Sequence, residues 1–161
     1  MQIVKQIGQE CLLASMCMVA DADYKVARKL ITSYSWIDHM DRRSAAFFLV
    51  CDLICPPVSE FMKQWPTRGA PCDAITTPLP NEALDLSGRG ILILFFDTWF
   101  ITCAHAVAFE DYKIFDPATG KRLAWFPFAA NYKHESGVLH LDEWHVCGII
   151  HAGPTPKQNN A

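Results

Sequence analysis

Hydrophobic and polar positions divide the chain into two halves of different period. Cys11 to Ala20 (CLLASMCMVA) holds no Gly or Pro, and its apolar side chains cover most of a helical circumference. That predicts a buried central helix. Asp21-Ala22-Asp23 interrupts the pattern. Val26, Ala27, Leu30 and Ile31 then fall at helical spacing and predict a second helix over Tyr24 to Ile31. Arg42 to Ile54 reads as a third, apolar helix halted by Pro56-Pro57, and Ser59 to Trp65 as a short helical turn. Residues 66 to 90 carry several prolines and glycines and read as an irregular connection, with one helical turn at Asn81 to Leu84. Beyond it the pattern changes to strands: Gly90 to Asp97, Phe100 to Phe109, Tyr112 to Phe115, Lys121 to Trp125 and His145 to Ile150. Helices followed by an antiparallel sheet predict an α+β fold. A single domain is expected over residues 1–152, with a polar, fraying tail at 153–161.

Composition agrees with one packed domain: of 161 residues, 51% are hydrophobic and 19% charged. A formal net charge of −3 argues against a broad nucleic-acid footprint. The start, Met1-Gln2-Ile3-Val4-Lys5-Gln6, shows no signal peptide, and the apolar run Ile91 to Phe96 is too short to span a bilayer. A cytoplasmic location without membrane or nucleic-acid partners is expected; nothing in the sequence sets the oligomeric state. Seven cysteines, at 11, 17, 51, 55, 72, 103 and 147, form no Cys-x-x-Cys pair. Without an export signal they read as reduced thiols, most of them small buried hydrophobes. A structural zinc would need four converging ligands, and no histidine has ligand-like spacing to Cys51 or Cys55. No metal or cofactor is implied.

Candidate chemistry concentrates in Ala104 to Gly120. Two apolar strands flank a short polar turn, with His105 early in the first and Asp116 at the end of the second. An antiparallel hairpin folds those two residues back beside each other. A histidine oriented by a carboxylate is half of a nucleophilic triad. The other half is offered by Cys11, which follows the polar loop Gln6-Ile7-Gly8-Gln9-Glu10 at the start of the first helix. The helix dipole and unpaired backbone N–H groups there favour a thiolate. Gln6 and Gln9 are the amide donors available for an oxyanion, with the Cys11 N–H as a second donor.

These residues resemble a known pattern. Glu10-Cys11-Leu12-Leu13-Ala14-Ser15-Met16-Cys17-Met18 is similar to the nucleophile motif of the C39-like cysteine peptidases, a branch of the papain-like fold. That motif is an acidic residue, Cys, Gly, any, Ala, any, Leu, any, Met, with a Gln upstream. Glu10, Cys11, Ala14 and Met18 match, and Met16 stands for Leu. His105-Ala106-Val107 followed by Asp116-Pro117-Ala118-Thr119-Gly120 resembles the second motif, a strand His and then Asp-Pro-x-x-Gly after the next strand. The entry into the sheet around Gly88 and Gly90 is also similar, so the resemblance runs from about residue 2 to 125. Two positions depart from it. Leu12 stands where the family has Gly, which narrows the site. The family's oxyanion Gln lies six positions before Cys; here Lys5 occupies that position and Gln6 lies five before.

The resemblance implies a papain-like fold and a cysteine hydrolase that cleaves a peptide or isopeptide bond. Cys11 would be the nucleophile, His105 its base, Asp116 the group orienting the imidazole, and Gln6 with the Cys11 N–H the oxyanion donors. A peptide or protein substrate is implied. An acyl transferase or deamidase would use the same three residues, and a papain-like binding module that has lost turnover is the alternative of a different class. Elsewhere, His39, His134, His140, His145 and His151 read as surface or structural, Asp97 and Asp111 as turn residues, and Cys103 as a packed thiol. Trp99, Phe100 and Trp125-Phe126-Pro127-Phe128 read first as core packing, the last cluster also as a candidate groove wall.

Overall fold

A computed structural model describes residues 1–8, 10–33, 45–64, 84–97, 102–131, 134–135, 140–141 and 144–153. The first helix, α1 (Cys11–Ala20), has the limits expected from its apolar run, and Leu13 to Val19 are all buried. Burial on every side explains why its apolar residues form no stripe. It ends in a Schellman turn: Asp21 takes a left-handed conformation (φ 52), Ala22 N–H donates to the Cys17 carbonyl, and Asp21 N–H to that of Met18. Two residues later Asp23 caps α2 (Tyr24–Ser33), its Oδ1 accepting from the Lys25 and Val26 amides at 2.8 and 3.1 Å. The triplet Asp21-Ala22-Asp23 thus stops one helix and starts the next.

Helix α3 (Ala45–Ile54) is followed at once by α4 (Pro56–Gln64). The prolines end α3 as expected, but they also begin α4 rather than precede it. Proline lacks only an N–H that has no intrahelical partner in a first turn, and its fixed φ suits that position. The turn expected at Asn81 to Leu84 and the start of the helix expected from Arg42 lie mostly outside the described residues, and Leu84 itself is not helical.

The sheet comprises β1 (Arg89–Asp97), β2 (Thr102–Glu110), β3 (Lys113–Asp116), β4 (Lys121–Ala124) and β7 (His145–Gly153), in the antiparallel order β4-β3-β2-β1-β7. A two-stranded ladder, β5 (His134–Glu135) with β6 (His140–Leu141), stands apart in the pairing. Strand side chains alternate between two cores. Ile91, Ile93, Ala106, Ala108 and Phe115 pack with the helices around Leu13, Met16, Val50 and Val58. Leu92, Leu94, Val107, Phe109 and Ile114 pack on the other side with Leu84, Leu86, Trp125 and Phe128. Burial of both faces explains the unbroken apolar run from Ile91 to Phe95, where a one-sided sheet would alternate.

One expected strand end is a helix. Trp125 closes no strand but opens α5 (Trp125–Asn131), which packs on the second core. Trp125 and Phe128 stack at 6.0 Å and both meet Trp144 edge-on, while Phe126 is 77% exposed. The aromatic cluster therefore seals the core. The mixed α+β architecture stands as expected, with helices α1 to α4 on one face of the sheet and α5 on the other. Among the described residues, no helix is long and apolar enough to cross a membrane.

Candidate active site

The β2–β3 hairpin carries the histidine and the aspartate. Glu110 pairs with Lys113, and the two residues between them, Asp111 and Tyr112, both have positive φ (46 and 61). This is the two-residue turn whose twist matches that of paired strands. It is held from outside: the Asp111 and Tyr112 amides donate to the Gly88 and Leu86 carbonyls, and Gly88 N–H donates to Asp111 Oδ1. Pairing runs from Glu110↔Lys113 to Ala108↔Phe115. Beyond it Asp116, the last residue of β3, pairs with Lys121 of β4, and its Oδ1 lies 2.9 Å from His105 Nε2. Both side chains are buried, at 3% and 2% exposure.

Asp116 is itself fixed. Its Oδ1 also accepts from Ala118 N–H, its Oδ2 from the Thr119 hydroxyl, and its carbonyl from Gly120 N–H, each at 2.9 Å. Gly120 takes φ +68, which its Cβ-free backbone permits. Burial raises the pKa of the Asp116 carboxyl, but the hydrogen bond and charge of His105, with the Ala118 amide and Thr119 hydroxyl, outweigh it and hold the group below the ordinary carboxylate range.

Cys11 reaches the same imidazole. It is the first residue of α1, half-buried, and its thiol makes a side-chain hydrogen bond with His105. Asp116 occupies Nε2, which leaves Nδ1 as the ring nitrogen that serves the thiol. Burial lowers the pKa of His105, yet the hydrogen bonds to Asp116 and Cys11 and the charges of both outweigh it and push the imidazole up to about 9. A ring so held is an imidazolium near neutral pH, the partner a thiolate needs.

The other described cysteines differ. Cys17 and Cys51 are buried in the helical core, and burial pushes each thiol up to about 12; Cys147 is likewise pushed to about 12, and Cys55 is raised. Cys72 and the side chain of Cys103 lie outside the described residues. No group of three or more His, Cys, Asp or Glu among the described residues is arranged to hold a metal ion. His145 packs at 5.4 Å on Phe95, and His151 edge-on against Phe109.

Gln6 lies beside this constellation with its amide turned elsewhere. Its backbone N–H donates to the Pro117 carbonyl at 2.9 Å, which ties the loop before Cys11 to the turn after Asp116. Its side-chain Nε2 donates to the Gly8 carbonyl at 2.7 Å, and its buried Oε1 has no hydrogen-bond partner among the described residues. Cys11, His105 and Asp116 are thus brought together, and Gln6 is brought near without its side chain engaging them.

Several supporting residues were missed in the sequence. Ser15, one turn along α1 from Cys11, donates to the Ala106 carbonyl at 3.0 Å and bolts the helix to β2 beside His105. Thr119, three residues after Asp116, carries a local signal: an aspartate followed by such a hydroxyl marks a side-chain-stabilised turn. Tyr24 and Arg28 of α2 reach Glu10, a contact that no local pattern announces. Comparison of the chain with protein-family models, with curated proteins and with solved structures gave no match.

Proposed function

We propose that the chain is a cysteine hydrolase of papain-like, C39-like type, acting on a peptide or isopeptide bond. The observation that carries this reading is the hydrogen-bonded series Cys11–His105–Asp116, in which one buried imidazole joins a helix-start thiol to a fixed carboxylate. In the proposed reaction Cys11 Sγ attacks the carbonyl carbon as a thiolate. The Cys11 N–H and the Gln6 amide, once released from Gly8, stabilise the oxyanion. His105 gives its proton to the leaving amine, then takes one from the water that opens the thioester, while Asp116 keeps the ring oriented.

Reactivity of the thiol is the first test. Iodoacetamide at neutral pH should label Cys11 well ahead of Cys17, Cys51, Cys55 and Cys147, and His105→Ala should abolish that advantage. Equal labelling of the five thiols would overturn the reading. A second reading, a binding module on the same scaffold, draws support from Leu12 at the usual glycine position and from the Gln6 amide spent on Gly8. Cys11→Ala separates the two, since a binder retains its function and an enzyme loses it. Adding an amine acceptor alongside water then sorts hydrolysis from acyl transfer by product.

A further inference from the structure

Glu10 immediately precedes the nucleophile and occupies the N-cap of α1, yet its side chain makes no cap hydrogen bond. It turns instead to α2. Glu10 Oε2 accepts from the Tyr24 hydroxyl at 2.6 Å, and its two oxygens accept from Arg28 Nε at 2.9 and 3.1 Å. The Tyr24 oxygen in turn accepts from Ile7 N–H at 3.0 Å. The short loop before Cys11 is therefore held at three points: Gln6 N–H by Pro117, Ile7 N–H by Tyr24, and Glu10 by Tyr24 and Arg28.

We propose that Glu10, Tyr24 and Arg28 are positioning residues that clasp this loop, and that Arg28 offsets the Glu10 charge carried one residue before Cys11. The proposal rests on the reading of Cys11 as an activated nucleophile. A carboxylate on the residue before the thiol disfavours a second negative charge nearby, and a guanidinium held on that carboxylate removes most of the penalty. Among the described residues, the ionisable groups that bear on Cys11 are His105 from β2, Asp116 at the end of β3 behind that ring, Glu10 on its own loop, and Tyr24 and Arg28 from α2 through Glu10; Lys5 lies over Gly120. Burial, and then the hydrogen bond to Glu10, push the Tyr24 phenol up to about 12, so it remains a donor throughout the working range.

The test is the pH dependence of Cys11 alkylation by iodoacetamide in the full chain, read by peptide mass spectrometry. Arg28→Gln exposes the Glu10 charge and should move the alkylation midpoint up by about half a pH unit. Glu10→Gln should move it down, and the double variant should return it close to the wild-type value. Tyr24→Phe keeps the ring and should raise hydrogen exchange at the Ile7 amide about tenfold. Opposite shifts that cancel in the double variant are a signature of charge that loss of packing does not give. Shifts of the same sign in both single variants, or none, would overturn the proposal while leaving an activated wild-type Cys11 intact. A wild-type Cys11 no faster than the buried thiols would instead overturn the hydrolase reading itself. Should Arg28→Gln fold poorly, Arg28→Lys retains the charge and must leave the midpoint unmoved.

Discussion

Burial and hydrogen bonding act on His105 in opposite directions, and the outcome decides how the site responds to pH. Its folded pKa, about 9, lies above the ordinary value of 6.5. The protonated ring is thus stabilised by folding, fully below about pH 6.5, and that contribution is lost as the pH rises through about 9. Asp116 has the opposite sign: its lowered pKa stabilises the fold above the ordinary carboxylate range and ceases to do so as the pH falls through its folded value. The difference in melting temperature between wild type and His105→Gln should therefore be widest near pH 5 to 6 and should narrow toward pH 9. A constant gap would contradict a charged imidazole. In the proposed hydrolase reaction turnover follows the same proton, so kcat/KM should fall on the alkaline side with a midpoint near 9, where the acid for the leaving amine disappears. Gln6 is separable from this pair because alkylation forms no oxyanion. Gln6→Ala should leave iodoacetamide labelling of Cys11 within about twofold, yet slow acylation by a p-nitrophenyl ester by roughly 100-fold, the effect of losing one oxyanion donor. Equal slowing of both reactions would mean that Gln6 only holds the loop.

At the scale of elements, the site depends on how closely β1 is packed between its neighbours. Gly90 pairs with Phe109 of β2 on one side and His151 of β7 on the other, and a Cβ built there would come within 2.2 Å of the Ile150 carbonyl oxygen and 2.4 Å of the Phe109 ring. One contact is backbone from β7 and the other is a fully buried ring, so neither can yield cheaply. Gly90→Ala should destabilise the fold by about 3 kcal/mol, the upper end for overpacking, and lower the melting temperature by roughly 10 °C. An unchanged melting temperature would mean that the strands separate there at little cost. That constraint was not legible in the sequence, where Gly90 reads only as the edge of an apolar strand. Elements with strong local signals were legible. Helix α1 has an unbroken apolar run and lies as expected, and β1 to β4 come within a few residues of their expected limits. The failures fall where local chemistry allows two structures. Pro56-Pro57 both stops a helix and starts one, and Trp125-Phe126-Pro127-Phe128 has the composition of a strand end but turns to cover the sheet's second face.

For the molecule as a whole, the helical layer must keep Cys11 in register with a histidine on the sheet. Which residues meet was legible, because a helix-start cysteine and a hairpin histidine and aspartate are each marked locally. How they are held was not, because the Glu10–Tyr24–Arg28 contacts and the turn of the Gln6 amide depend on where α2 and the Asp116 turn come to rest. The apolar packing of α1 on β1 and β2 is large but directionless, and a greasy interface tolerates small slides. Ser15 supplies direction. Its fully buried hydroxyl donates to the carbonyl of Ala106, next to His105, from a position one helical turn beyond Cys11. The bond fixes both the rotation of α1 and its advance along the strand. Ser15→Ala keeps the volume close and removes that one restraint, so it should cost only about 1 kcal/mol of stability. Its effect on reactivity should be larger than its effect on stability, because a thiol displaced by a few tenths of an ångström loses its bond to His105 while the core stays packed. Cys11 alkylation at pH 7 should fall about tenfold in a protein whose melting temperature drops by only a few degrees. If labelling and melting temperature instead change in proportion, Ser15 is an ordinary buried hydrogen bond, and the helix is kept in register by its packing alone.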